Sequence, residues 1–129
     1  MEFKLATADL GDGVFSVSVA GEVDLATAPE LKEALGDVVS SGANGVLVDL
    51  SNATFIDSTT LGVLMGAVKR LRPAGGELVI ACHDSNIRKI FEITLLDRVF
   101  KIYDTPGPGV EYLRDAHAPA AASDVSAPG

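Results

Sequence analysis

Two short segments, Val46-Leu47-Val48-Asp49-Leu50 and Leu78-Val79-Ile80-Ala81-Cys82, are apolar at almost every position. Such runs suit strands covered on both faces, which antiparallel sheets with one wet face do not require. Each is followed by apolar residues at helical spacing. Leu61, Leu64, Met65, Val68 and Leu71 follow the first, and Ile87, Ile90 and Phe91 the second. Strand-helix alternation of this kind predicts a largely parallel sheet with helices packed on it. The opening differs. Phe3-Lys4-Leu5 and the partly alternating Val14-Phe15-Ser16-Val17-Ser18-Val19 read as strands, joined by turn chemistry in Asp9-Leu10-Gly11-Asp12-Gly13, so a hairpin comes first. Gly21-Glu22-Val23-Asp24-Leu25 is an extended exit from it.

Helix boundaries follow from local chemistry. Thr27-Ala28-Pro29-Glu30 predicts a start, with Thr27 as cap, Glu30 completing a capping box and Pro29 in the first turn. Leu31, Ala34, Leu35 and Val38 form its stripe, ended by Ser40-Ser41-Gly42. Pro73-Ala74-Gly75-Gly76 stops the second helix, and Asp84 or Ser85 caps the third. A last strand is expected over 99–103. Pro106-Gly107-Pro108-Gly109 makes a poor helix interior, so a terminal helix should be short, near Val110 to Arg114. The expected fold class is α/β: a small mixed, mostly parallel sheet, with an opening hairpin and flanking helices, over residues 1–115. From Ala116 onward Ala, Pro, Ser and Gly dominate, and residues 116–129 are expected to be a disordered tail.

At 129 residues and 47% apolar content, one core can form without metal or disulfide support. No apolar run approaches the roughly 20 residues of a membrane span. Met1-Glu2-Phe3-Lys4 shows no basic region followed by an apolar stretch, so a cytoplasmic location without membrane insertion is expected. A lone Cys82 excludes an internal disulfide and the usual zinc ligand sets. Residues 1–64 hold 10 acidic and 2 basic side chains, whereas 65–129 hold 8 of each, so the first half carries the whole net charge of −8. Nothing here neutralises a row of phosphates, which argues against nucleic acid and suits a partner with a basic surface.

Catalytic arithmetic is empty. There is no Gly-x-Ser-x-Gly elbow, phosphate loop or dinucleotide glycine fingerprint. His83 and His117 are far apart, and Glu22, Asp24, Asp49 and Asp57 read as solvated strand-end acids. No enzyme activity, cofactor or metal is expected. The informative segment is Phe55-Ile56-Asp57-Ser58-Thr59-Thr60-Leu61-Gly62, with three hydroxyls where a loop turns into an apolar-striped helix. Asp57 should cap this helix, and a stripe starting at Leu61 turns Ser58 and Thr59 toward solvent. Free amides and the helix dipole would favour a phosphate there by about 0.3–1 kcal/mol. Capping alone also places Ser and Thr at helix starts.

In order and spacing, Gly21-Glu22-Val23-Asp24, the strand 46–50 and Asp57-Ser58-Thr59-Thr60-Leu61-Gly62 resemble the STAS domain family, and more closely the bacterial anti-sigma factor antagonists, from about Phe3 to Arg114. That resemblance implies a protein that binds an anti-sigma factor with serine kinase activity and so frees a sigma factor. It implies phosphorylation of Ser58 by that kinase, loss of the complex, and resetting by a serine phosphatase. It makes Asp57 the recognition neighbour of Ser58, and makes the segment of Gly21, Glu22 and Asp24 with the following loop through Thr27 part of the docking surface, together with Asp57, Ser58, Thr59 and Thr60. The family usually carries glycine where this chain has Thr60, a β-branched residue less permissive of close approach by a kinase loop, which leaves Thr59 and Thr60 as alternative acceptors. A STAS subunit of a transporter or larger signalling assembly would share the fold. An aspartyl-phosphate receiver domain would instead need an acidic pair after the first strand, where this chain has only the hairpin residues Asp9 and Asp12.

Overall fold

The computed structural model describes residues 3–116. Its elements are β1 (Lys4–Asp9), β2 (Val14–Val23), α1 (Ala28–Ser40), β3 (Gly45–Ile56), α2 (Ser58–Leu71), β4 (Glu77–Ala81), α3 (Ser85–Ile93), β5 (Lys101–Tyr103) and α4 (Pro106–Ala116). Single 3-10 turns at Arg72–Ala74 and Leu96–Arg98 follow α2 and α3. The sheet runs β1-β2-β3-β4-β5 in chain order. β1 is antiparallel to β2 through the expected hairpin, and every later pairing is parallel. Each crossover advances one strand in the same direction, so α1, α2 and α3 share one face of the sheet.

Two-sided burial explains the uninterrupted apolar runs. Val46, Val48 and Leu50 in β3 and Leu78 and Ile80 in β4 pack toward α1, α2 and α3 with Leu31, Leu35, Leu64, Leu71, Ile87 and Phe91. Leu47, Val79 and Ala81, on the alternate phase, meet Leu113 of α4 on the other face. Phe91 and Phe100 close the α3 end edge-to-face, with ring centres 6.0 Å apart.

Three sequence expectations change. β3 is twelve residues long and continues to Ile56, where a strand over 46–50 followed by a loop was expected. Its second half buries only Ala53 and Ile56, three residues apart across a register shift against β2, with Asn52, Thr54 and Phe55 exposed, so neither a period of two nor an apolar run marks it as a strand. Thr27 precedes α1 but makes no side-chain cap: its backbone is already helical and its hydroxyl is engaged with the end of β2. α4 begins at Pro106, not near Val110. Pro106 and Pro108 fall in the first turn, where a missing N–H costs nothing. Gly109 lets the helix lie on the sheet, since a Cβ there would stand 2.8 Å from Leu47 Cδ1. The helix runs to Ala116, one residue past the expected boundary, and the remaining tail lies outside the described residues.

On the α4 face, the Tyr112 hydroxyl donates to Glu77 Oε1 at 2.7 Å. That bond to a carboxylate, with burial second, pushes the phenol up to about 12. A folded value above the unfolded value of about 10 means that the bond stabilises fully below pH 10 and is lost between about pH 10 and 12. The stability gap between wild type and Tyr112→Phe should therefore shrink across that window in urea titrations. A gap that stays constant through it would contradict this assignment.

Candidate functional site

β2 and β3 end side by side, each turning into a helix. Two register irregularities, between Ser18 and Ala20 and between Gly21 and Glu22, keep them paired to their tips, where Glu22 lies beside Phe55 and Val23 beside Ile56. Gly21 adopts φ +92°, a region closed to most side chains, which accounts for glycine at this bend. It is buried, so it shapes the strand end and offers no docking surface, a correction to the sequence expectation.

The same side-chain device closes both turns. After β2, one oxygen of the Asp24 carboxylate accepts from Ala26 N at 3.0 Å and Thr27 N at 3.1 Å. Thr27 Oγ1 accepts from Asp24 N at 2.9 Å and donates to the Glu22 carbonyl at 3.0 Å. After β3, Asp57 is extended and its Oδ1 accepts from Thr59 N at 3.0 Å and Thr60 N at 3.2 Å, capping α2 as expected. Asp57 N completes a capping box by donating to Thr60 Oγ1. Two amides that the sequence suggested were free are thus held by Asp57 itself.

Thr60 departs most from expectation. It is 0% exposed, and its hydroxyl donates to the carbonyl of Val23 at 3.0 Å. The start of α2 is thereby latched to the end of β2, across 37 residues of sequence. Enclosed in this way, Thr60 is neither an accessible phosphoacceptor nor a docking residue. Ser58, the first residue of α2, is exposed; Thr59, Asp57, Asp24 and Thr27 are half-buried and Glu22 is exposed. The structure therefore brings the predicted residues to one end of the sheet, the carboxyl end of its parallel strands, where sites in such sheets gather.

Two large apolar residues are exposed at this end of the sheet: Leu25, within the loop through Thr27 that the resemblance already implied, and Phe55, which the sequence reading did not single out. Leu25 is 75% exposed in the β2–α1 turn and Phe55 is 46% exposed at the tip of β3. An apolar residue between turn formers was the available hint. Below them α1 and α2 leave a groove of 640 Å³, with Leu25 and Thr59 at its upper end.

Elsewhere the acids disperse. Asp49 is half-buried in mid-strand and accepts from Ser51 N at 2.9 Å and Ser51 Oγ at 2.5 Å. Asp9 and Asp12 lie at the hairpin, the opposite end of the sheet from Ser58, so no receiver-type acidic pocket forms with them. Among the described residues, no group of three or more His, Cys, Asp or Glu side chains could hold a metal ion. Burial pushes the Cys82 thiol up, against a weaker opposing contribution from its bond to the Asp84 carbonyl, which suits an inert thiol. No described helix is long and apolar enough to cross a membrane.

Comparison with known proteins matches this arrangement. An anti-sigma-B factor antagonist of Staphylococcus aureus (strain NCTC 8325 / PS 47) is 39% identical over 83 residues, covering 64% of this chain and 77% of the relative. One from Listeria monocytogenes is 38% identical over 91 residues, covering 70% of this chain and 80% of the relative. The crystal structure of an anti-sigma factor antagonist from Mycobacterium paratuberculosis superposes with a TM-score of 0.75 at 32% identity, over 88% of this chain and 95% of that one. The STAS domain profile matches residues 7–107, and the chain belongs to the STAS domain family.

Proposed function

We propose that this chain is an anti-sigma factor antagonist, acting by binding and not by catalysis. Unphosphorylated, it holds an anti-sigma factor that is also a serine kinase and so frees the sigma factor. Transfer of the γ-phosphoryl group of ATP to Ser58 ends the complex, and a serine phosphatase restores it. This reading places the protein in the cytoplasm, where sigma factors act. Support comes from relatives of that description and from one local observation. Ser58 is exposed on a turn whose neighbours are committed to the fold, Asp57 to the helix amides and Thr60 to β2. A hydroxyl so placed can be modified without moving the backbone.

The test is incubation with serine-kinase anti-sigma factors and ATP, followed by mass spectrometry. Phosphate is expected on Ser58 and absent from Ser58→Ala, which should keep its partner bound in the presence of ATP. Undiminished phosphate incorporation in Ser58→Ala would move the acceptor to Thr59, the remaining hydroxyl of this turn that is not enclosed.

A further inference from the structure

Gly62 and Gly66 sit in the interior of α2, one turn apart on its exposed side, and a Cβ built at either meets nothing within 4 Å. No turn, positive φ or internal contact calls for glycine at these places. Alanine would favour the helix, so the folded chain forgoes stability at both. Both face the α1–α2 groove. We propose that this groove receives an amphipathic α-helix of the anti-sigma factor, apolar on the buried side and acidic along one edge. This rests on the functional reading above.

Dimensions favour a helix. From Thr59 to Arg70 the groove follows α2 for about 16 Å, three helical turns. Small residues one turn apart let the ridge of a second helix approach at about 8 Å between axes. Leu25, Val39 and Val63 supply apolar walls.

Charge decides the occupant's edge. Lys32 and Arg70 border the groove, and no carboxylate is among the described residues lining it. Lys32 is one of only 2 basic residues in the acidic first half of the chain. Glu30, Glu33 and Asp37 instead turn to the other side of α1, where they line the cleft against β1. The groove is thus a cationic exception on an acidic protein, and an acidic-edged helix complements it. Its upper end, at Leu25 and Thr59, adjoins Ser58, so a helix seated along it reaches the acceptor hydroxyl. Phosphate at that position would oppose the acidic edge.

The decisive experiment measures affinity and thermal stability together. Wild type, Gly66→Ala, Gly66→Leu and Ser58→Glu are titrated by calorimetry with purified serine-kinase anti-sigma factors from the same organism, and each variant is melted. Gly66→Ala should melt about 2–5 °C higher than wild type. It should nevertheless bind about fivefold more weakly, and Gly66→Leu, which fills the groove, about thirtyfold more weakly. A merely structural glycine would not raise stability while lowering affinity. If both Gly66 variants bind like wild type while Ser58→Glu binds weakly, the groove proposal fails and the functional reading stands. If wild type binds none of these anti-sigma factors, both fall.

Discussion

Phosphorylated Ser58 should weaken binding of the anti-sigma factor by about 3–4 kcal/mol, a few hundred-fold, and Ser58→Glu by about 2 kcal/mol, near thirtyfold. On the proposed function, the partner kinase has to bring its nucleotide and cations close to this hydroxyl, which requires an unmodified interface tightly apposed there. Inserting about −1.5 to −2 charge beside Asp57 leaves that charge poorly solvated in the complex. The free protein loses little. Asp57 already holds the amides of Thr59 and Thr60, so Ser58 N–H is the one first-turn donor left to the phosphate, which otherwise remains in water. Circular dichroism and melting temperature should therefore be unchanged in Ser58→Glu. Calorimetry measures the affinity, and the loss should shrink with added salt because part of it is screened. Full affinity in both the phosphorylated protein and Ser58→Glu would remove the electrostatic account of the switch.

Legibility of this fold from sequence follows from how many jobs each residue does. Val46, Val48, Leu50, Leu78 and Ile80 do one, filling a core under three helices, while Leu47, Val79 and Ala81 fill another under α4. Their apolar runs can be read without coordinates. Asp57 likewise announces itself, because a carboxylate before a periodic apolar stripe has few other uses.

The second half of β3 is obscured because a register shift against β2 breaks its period of two, leaving only Ala53 and Ile56 as signals, three residues apart. Thr27 matches a capping pattern, yet its hydroxyl turns back to the Glu22 carbonyl five residues earlier, and its backbone is already helical, so it closes the β2–α1 turn instead of capping the helix. The start of α4 was hidden by two prolines and two glycines. The prolines sit where a helix tolerates them, and Gly109 is required by close packing on Leu47. At this end of the sheet the exposed apolar residue that was missed is Phe55, because exposure cannot be inferred from residue type.

Thr60 joins these points in one experiment. Read along the sequence, it is a third hydroxyl in a phosphoacceptor motif and a departure from the glycine usual in the family. In the structure it is a buried latch between α2 and the Val23 carbonyl, directed inward. Thr60→Gly should therefore cost about 2–3 kcal/mol, combining the weaker helix preference of glycine with a buried carbonyl left without its donor. The melting temperature should fall by about 10 °C. Thr60→Ser keeps the hydroxyl and should recover most of that loss. Below the melting transition, the rate of Ser58 phosphorylation in Thr60→Gly should match wild type. A faster rate would mean that the kinase approaches this position after all, and that the β-branched side chain limits catalysis from the surface instead of holding α2 in place from beneath.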